Sequence, residues 1–208
     1  MQAAWSFFLT SFVSLFAILD AIGNASVFLS ITPHNTDAER RAIVRRASIA
    51  VFIILVTFAV LGNRLFGFFG VTLDAFRVAG GLVLLKIGLD MVEARVSRSK
   101  RTPEEDQEGI AREDVSVIPL AMPMLSGPGA ISTVIVLAGQ ADTPPKMGLL
   151  FGSILLNALL IFIILRSSLR MVTLLGETGM RLFTRILGLI LISISVQFIL
   201  TGIKNILG

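Results

Sequence analysis

Residues 1–33 hold one charged side chain, Asp20. Four further stretches, 47–63, 115–141, 147–165 and 186–203, hold none. A helix needs about 20 mostly apolar residues to cross a bilayer, and these runs approach or exceed that length. Composition supports the reading. Apolar residues make up 54% of the 208, and charged residues 15%. A soluble domain carries roughly 25% charge, and a disordered chain lacks apolar residues. Both classes are excluded as defaults.

Six transmembrane segments follow. The first spans 4–32 and is interrupted near Gly23. The second covers 47–63 and resumes after Arg64. The third, 75–92, contains Lys86 and Asp90, and the last three are 115–141, 147–165 and 186–203. The first stretch is too long for a lone signal peptide and has no basic n-region. The polar stretch 94–114 reads as a charged cytoplasmic linker, and 166–184 as a shorter amphipathic connection. The connections near 70–74 and 142–146 are tight.

Thirteen of the 18 lysines and arginines fall in three connections: the one after the first segment, the linker, and 166–185. The positive-inside rule places these in the cytoplasm and both termini outside. The pI near 10.3 then reflects topology, and nucleic acid is not an expected partner; membrane lipid is. There is no cysteine and one histidine, His34. Thiolate and multi-histidine metal sites are excluded. No catalytic dyad is visible, so the chain is not read as an enzyme and no cofactor is expected.

The halves on either side of the linker match weakly but in order. Gly23-Asn24-Ala25 aligns with Gly127-Pro128-Gly129 at an offset of 104. Arg64, Gly70 and Thr72 align with Arg170, Gly176 and Thr178 at 106, and Arg77 to Gly80 with Arg185 to Gly188 at 108. Two three-segment units related this way have inverted topology, an architecture of secondary transporters. The expected fold is therefore all-α: one polytopic membrane domain over 1–208, with six transmembrane helices as inverted repeats 4–93 and 115–207. Helices one and four are expected to be broken.

In such transporters the site lies where corresponding helices are interrupted. The fourth segment carries Met122-Pro123 and then Ser126-Gly127-Pro128-Gly129-Ala130-Ile131. Proline removes a donor and crowds the preceding turn, and glycine permits other dihedrals. Ser126 is expected to cap a new half-helix with Pro128 in its first turn. The freed N–H groups at 129–131 suit an anion such as a carboxylate; the alternative is a proline kink that only shapes packing. The first segment carries Asp20, Gly23 and Asn24. A charged Asp at a helix centre costs about 2.5–3.5 kcal/mol on insertion scales, so Asp20 needs a partner. It can hold an ammonium group, a coupling cation or a proton, or make a structural hydrogen bond with Asn24. Asn157 and Gln197 either line the cavity or bond between helices. Lys86 and Asp90 have i,i+4 spacing and can pair, or Lys86 can snorkel. Gly80, Gly81 and Gly88 read as a packing face.

These residues resemble the MarC/SnatA family of six-span inner-membrane proteins, related to the LysE-type exporter superfamily. Asp20-Ala21-Ile22-Gly23-Asn24 is similar to the family's Asp-Pro-x-Gly-Asn signature, with Ala21 where proline is usual. Phe76-Arg77-Val78-Ala79-Gly80-Gly81 is similar to a typical family stretch, and Pro119 to Pro123 followed by Ser126 to Ile131 is the most specific match. The resemblance implies a multi-pass protein of a bacterial or archaeal plasma membrane. It also implies transport of a small neutral amino acid such as glycine or alanine. The carboxylate is then expected at Ser126 to Ile131, and the ammonium group or a coupling ion (proton or sodium) at Asp20 and Asn24. The alternatives are an exporter of other metabolites or drugs, a channel, and a non-catalytic scaffold. Oligomeric state is left open.

Overall fold

The computed structural model describes residues 2–93 and 115–207. The charged linker 94–114 lies outside them. The described residues form α-helices α1 (Gln2–Leu19), α2 (Ala21–Ile31), α3 (Asp37–Phe69), α4 (Leu73–Val92), α5 (Pro128–Gln140), α6 (Pro144–Arg166) and α7 (Ser168–Leu207). An irregular segment, Ser116–Leu125, precedes α5.

Local chemistry sets the boundaries. At the start of α3, Glu39 accepts from the Thr36 N–H at 2.7 Å, while the Glu39 N–H donates to Thr36 Oγ1 at 3.3 Å. This reciprocal pair is a capping box. Gly70, at φ 64°, turns the chain out of α3. Thr72 then caps α4 by accepting the Ala75 N–H at 3.1 Å.

Prolines shape the irregular segment. A residue before proline is pushed out of the helical region, and Ile118 and Met122 are both extended (ψ 121° and 126°). The Ile118–Pro119 and Met122–Pro123 bonds are cis. The backbone closes wide turns instead: Leu120 N–H donates to Val115 C=O at 3.2 Å and Ser126 N–H to Ala121 C=O at 2.8 Å. The segment then meets α5 at a bend of 63°.

Four described stretches are long and apolar enough to cross a membrane: Ala4–Ile31, Asp37–Gly62, Pro144–Arg166 and Ser168–Leu207. The bent pair Ser116–Leu125 and Pro128–Gln140 adds a fifth. The third expected segment, α4, is helical but carries Asp74, Arg77, Lys86 and Asp90. The outer faces are apolar, as a lipid-facing surface requires: Ile49 and Ile53 on α3, Leu155, Leu159 and Ile163 on α6, and Leu189 and Leu200 on α7 are exposed.

Two pairings organise the bundle. α1 runs parallel to α6, with Ser153 Oγ donating to Phe8 C=O at 3.4 Å and Asn157 Nδ2 to Phe12 C=O at 3.3 Å. α4 runs antiparallel to the second part of α7 along a glycine seam. A Cβ on Gly88 would come within 3.1 Å of the Gly188 carbonyl, and one on Gly202 within 2.8 Å of the Asp74 carbonyl. Small residues let the backbones approach this closely. Gly80 instead faces Ser132 of α5. Asp74 Oδ1 closes one end of the seam, accepting from Arg77 Nη1 at 2.8 Å and from Asn205 Nδ2 at 3.0 Å.

The structure refines three sequence expectations. The first segment breaks at Asp20, three residues before Gly23, because Asp20 itself leaves the helical region. The amphipathic connection 166–184 is mostly helical: α6 passes through Ser167 into α7, which bends at Gly176 (φ 63°, ψ 173°). Lys86 and Asp90 are not among the ion pairs of the described residues; Lys86 is exposed on the helix surface, in keeping with the snorkelling alternative.

Candidate functional site

The site is built on two helix breaks. In the first, Asp20 sits at φ 44°, ψ 51° between α1 and α2. This left-handed conformation costs most residues about 1–2 kcal/mol, and Asp tolerates it better because its short side chain can bond locally. The Asp20 Oδ1 accepts the Gly23 N–H at 3.1 Å, so a carboxylate sits on the N-terminus of α2. Asn24 Nδ2 donates to the Leu19 and Asp20 carbonyls at 3.1 and 3.0 Å. The Asn24 bond goes to the Asp20 backbone and not to its carboxylate. Asn24 thus satisfies the Leu19 carbonyl, whose helical donor, the Gly23 N–H, is taken by the Asp20 side chain, and adds a second bond to the Asp20 carbonyl, which also accepts the Asn24 N–H at 3.0 Å.

Gly23 is required by its surroundings. A Cβ there would lie 2.5 Å from Asp20 Oδ2 and 2.7 Å from Thr184 Oγ1 of α7. Both oxygens therefore flank the same point. Asp20 is 6% exposed.

The second break is built differently. The N-cap of α5 is Gly127, with no side-chain hydrogen bond, and Pro128 occupies the first turn. The expectation that Ser126 caps this helix is corrected. Gly127 is extended (ψ −179°) and carries the chain away from Ser126 before the helix starts. Ser126 is fully buried, and its Oγ has no hydrogen-bond partner among the described residues. The Ile131 N–H donates to Gly127 C=O at 3.1 Å, which narrows the expected open donors. Those of Gly129 and Ala130 remain without a partner among the described residues, and both residues are buried.

The two breaks meet in the core. A Cβ on Gly129 would come within 2.9 Å of Ile18 Cδ1 and 2.7 Å of Ile87 Cδ1. Ile18 lies two residues before Asp20. The structural register also tightens the internal match: Asp20 and Ser126 stand at the breaks, and Gly23 and Gly129 follow, all at an offset of 106. The left-handed Gly70 and Gly176 share that offset.

Asn157 lies apart from the breaks. It is 1% exposed, with Nδ2 shared between Phe12 C=O and Ser153 C=O, so its donors serve the α1–α6 contact. Sequence reasoning missed Thr184, Ser11 and Ser14. The last two are fully buried on α1, and their hydroxyls have no partner among the described residues. Their spacing to Ile18, three and then four residues, puts them on one helix face. That periodicity was present in the sequence.

An all-helical, integral membrane protein with two adjoining helix interruptions is the class this fold defines. The chain belongs to the MarC family of integral membrane proteins, whose sequence profile matches residues 5–207. It is 40% identical over 200 residues to a UPF0056 membrane protein of Aquifex aeolicus, covering 96% of this chain and 94% of that one. It is 37% identical to the UPF0056 membrane protein PH0760 of Pyrococcus horikoshii over the whole of both chains. YhcE of Escherichia coli is 36% identical over 195 residues, covering 94% and 91%. No solved structure matches the chain. The family resemblance seen in the Asp20 and Ser126 motifs is thereby borne out.

Proposed function

We propose that the protein is a secondary transporter of small neutral amino acids such as glycine and alanine, built as two inverted three-helix repeats in a plasma membrane. One observation carries the reading. Of the two adjoining helix N-termini, α2 is covered by the Asp20 carboxylate, whereas α5 has a bare glycine cap over buried, unpaired donors. Each unmet buried polar group costs about 1–3 kcal/mol, and hydrocarbon offers no water to relieve it. A substrate carboxylate on the Gly129 and Ala130 N–H groups and the Ser126 hydroxyl recovers that cost. It would sit on α5 as the Asp20 carboxylate sits on α2.

Asp20 then holds the substrate ammonium group or the coupling ion through Oδ2, beside Thr184. Asn24 and Gly23 keep the break in shape. The site is closed in this conformation, since Ser126, Gly127, Gly129 and Ala130 are all buried. Opening requires one repeat to rock against the other, and the glycine seam between α4 and α7 is the smooth surface for that motion. The repeat reading is supported by the shared offset of the breaks and of Gly70 and Gly176. Both termini lie outside, with the basic connections in the cytoplasm.

The test is uptake of labelled glycine and alanine into proteoliposomes, with proton and sodium gradients imposed separately. Saturable, gradient-driven uptake suppressed by unlabelled neutral amino acids supports the proposal and names the ion. Non-saturable flux that never exceeds the outside concentration identifies a channel. No flux by folded protein in either orientation contradicts transport of these substrates.

A further inference from the structure

A second feature lies away from the breaks, where α3 begins and α6 gives way to α7. A cleft of about 350 Å³ opens there, lined by Asp37, Arg40 and Arg41 of α3 and by Arg166, Ser168 and Arg170. Four arginines thus share the wall of this cleft with one aspartate. Arg40 is already held, its Nε and Nη2 donating to the Thr32 carbonyl at 3.1 and 2.7 Å. The other three have no carboxylate partner; the ion pairs among the described residues are Arg77–Asp74, Lys146–Asp142 and Arg181–Glu177.

Topology alone does not account for this arrangement. The positive-inside rule asks for basic residues in a connection, and a cation at the end of α6 also complements its helix dipole. Neither requires arginines of separate helices to line one cleft. Neither explains Ser168, which is 2% exposed, lines the cleft, and makes no side-chain hydrogen bond among the described residues. Ser168 is also the first residue of α7, and the N–H groups of a first turn have no partner inside the helix. Forked guanidinium donors, a hydroxyl and a helix start are the donor set that phosphate oxygens accept.

The geometry points to a phosphate-binding site in this cleft, formed by Arg41, Arg166, Arg170 and Ser168 with Arg40 as its fixed wall. Arg166 ends an apolar span, so the cleft lies at headgroup depth. Basic pockets between helices at that depth suit anionic lipid headgroups. The same donors accept a soluble phosphate.

The test uses the full chain in neutral detergent and in phosphatidylcholine nanodiscs. Thermal unfolding is followed with added phosphatidylglycerol and, separately, with inorganic phosphate against chloride at matched ionic strength. Native mass spectrometry counts retained lipid. One of the two anions is expected to stabilise the protein. Arg166→Gln/Arg170→Gln is expected to weaken that binding about tenfold or more. Arg45→Gln/Arg185→Gln removes the same charge outside the cleft and is expected to leave it intact. Ser168→Ala, which removes no charge and serves if the arginine pair does not fold, is expected to weaken it about threefold. Stabilisation by the lipid alone identifies a headgroup site, and by phosphate alone a soluble ligand. Equal losses in both arginine pairs, unchanged binding in Ser168→Ala, or no effect of either anion on the wild type overturns the site.

Discussion

Asp20 and Gly23 close a four-residue ring across the first helix break, with the Gly23 N–H donating to Asp20 Oδ1 at 3.1 Å. The ring places a carboxylate on one half-helix and leaves its neighbour, α5, without one. Charge at Asp20 and absence of charge at Gly127 are thus two parts of one arrangement.

Replacing Asp20 separates its capping role from its charge. Asp20→Asn keeps an acceptor for Gly23 and tolerates the left-handed φ. Its stability is expected within about 1 kcal/mol of the parent, while transport falls sharply. Asp20→Ala loses the cap as well, costing about 0.5–2 kcal/mol. Thermal unfolding in detergent beside proteoliposome uptake distinguishes the two. Normal uptake by a folded Asp20→Asn protein would remove Asp20 from the site.

Ser126→Ala is expected to act in opposite directions on stability and binding. The unpaired buried hydroxyl is a liability of about 1–3 kcal/mol in the empty protein, so its removal raises the unfolding temperature without substrate. The same change takes a donor from the bound carboxylate and lowers alanine affinity. A lower unfolding temperature together with unchanged affinity would make Ser126 a packing residue only.

Gly129→Ala tests the closeness of the two breaks. Its Cβ would press on Ile18 and Ile87, and overpacking of this kind costs about 1–3 kcal/mol. Gly152→Ala on α6 meets nothing within 4 Å and is expected to be neutral or stabilising by up to about 1 kcal/mol. Equal behaviour of the two variants, read by unfolding and uptake, would mean that the breaks do not adjoin.

The absence of cysteine makes topology directly measurable. Single cysteines at Gln2 and Asn205 are expected to react with a membrane-impermeant maleimide added to intact cells, and one at Ser97 only after lysis. Labelling of Ser97 in intact cells, with protected termini, would reverse the orientation.

Long-range apolar patterning carried most of the fold. Uncharged runs marked the helices because burial in lipid demands them, and Pro123, Gly127 and Pro128 marked the second break because an interior proline interrupts the helical ladder, glycine weakens it, and proline is favoured in a first turn. The first break was harder to place. Asp20 has no helix-breaking shape of its own, and its left-handed conformation follows from the bonds it makes with Gly23 and that Asn24 makes behind it. Gly23 drew attention instead, although its role is to leave room for Asp20 and Thr184. Ser126 misled for a related reason. Serine before a helix usually caps it, but an extended Gly127 intervenes. The stretch 166–184 looked like a connection because its charges interrupt the apolar pattern; in the structure it is helical apart from interruptions at Ser167 and Gly176.

The most direct measurement is competition binding at equilibrium on the purified protein, with labelled alanine displaced by glycine, alanine, alaninamide and propionate. The carboxylate site on α5 and the ammonium site at Asp20 require both charged groups. Alanine and glycine are expected to displace the label, with alaninamide and propionate each weaker by about tenfold or more. Displacement by alaninamide as effective as by alanine would contradict the placement of the carboxylate on Gly129 and Ala130.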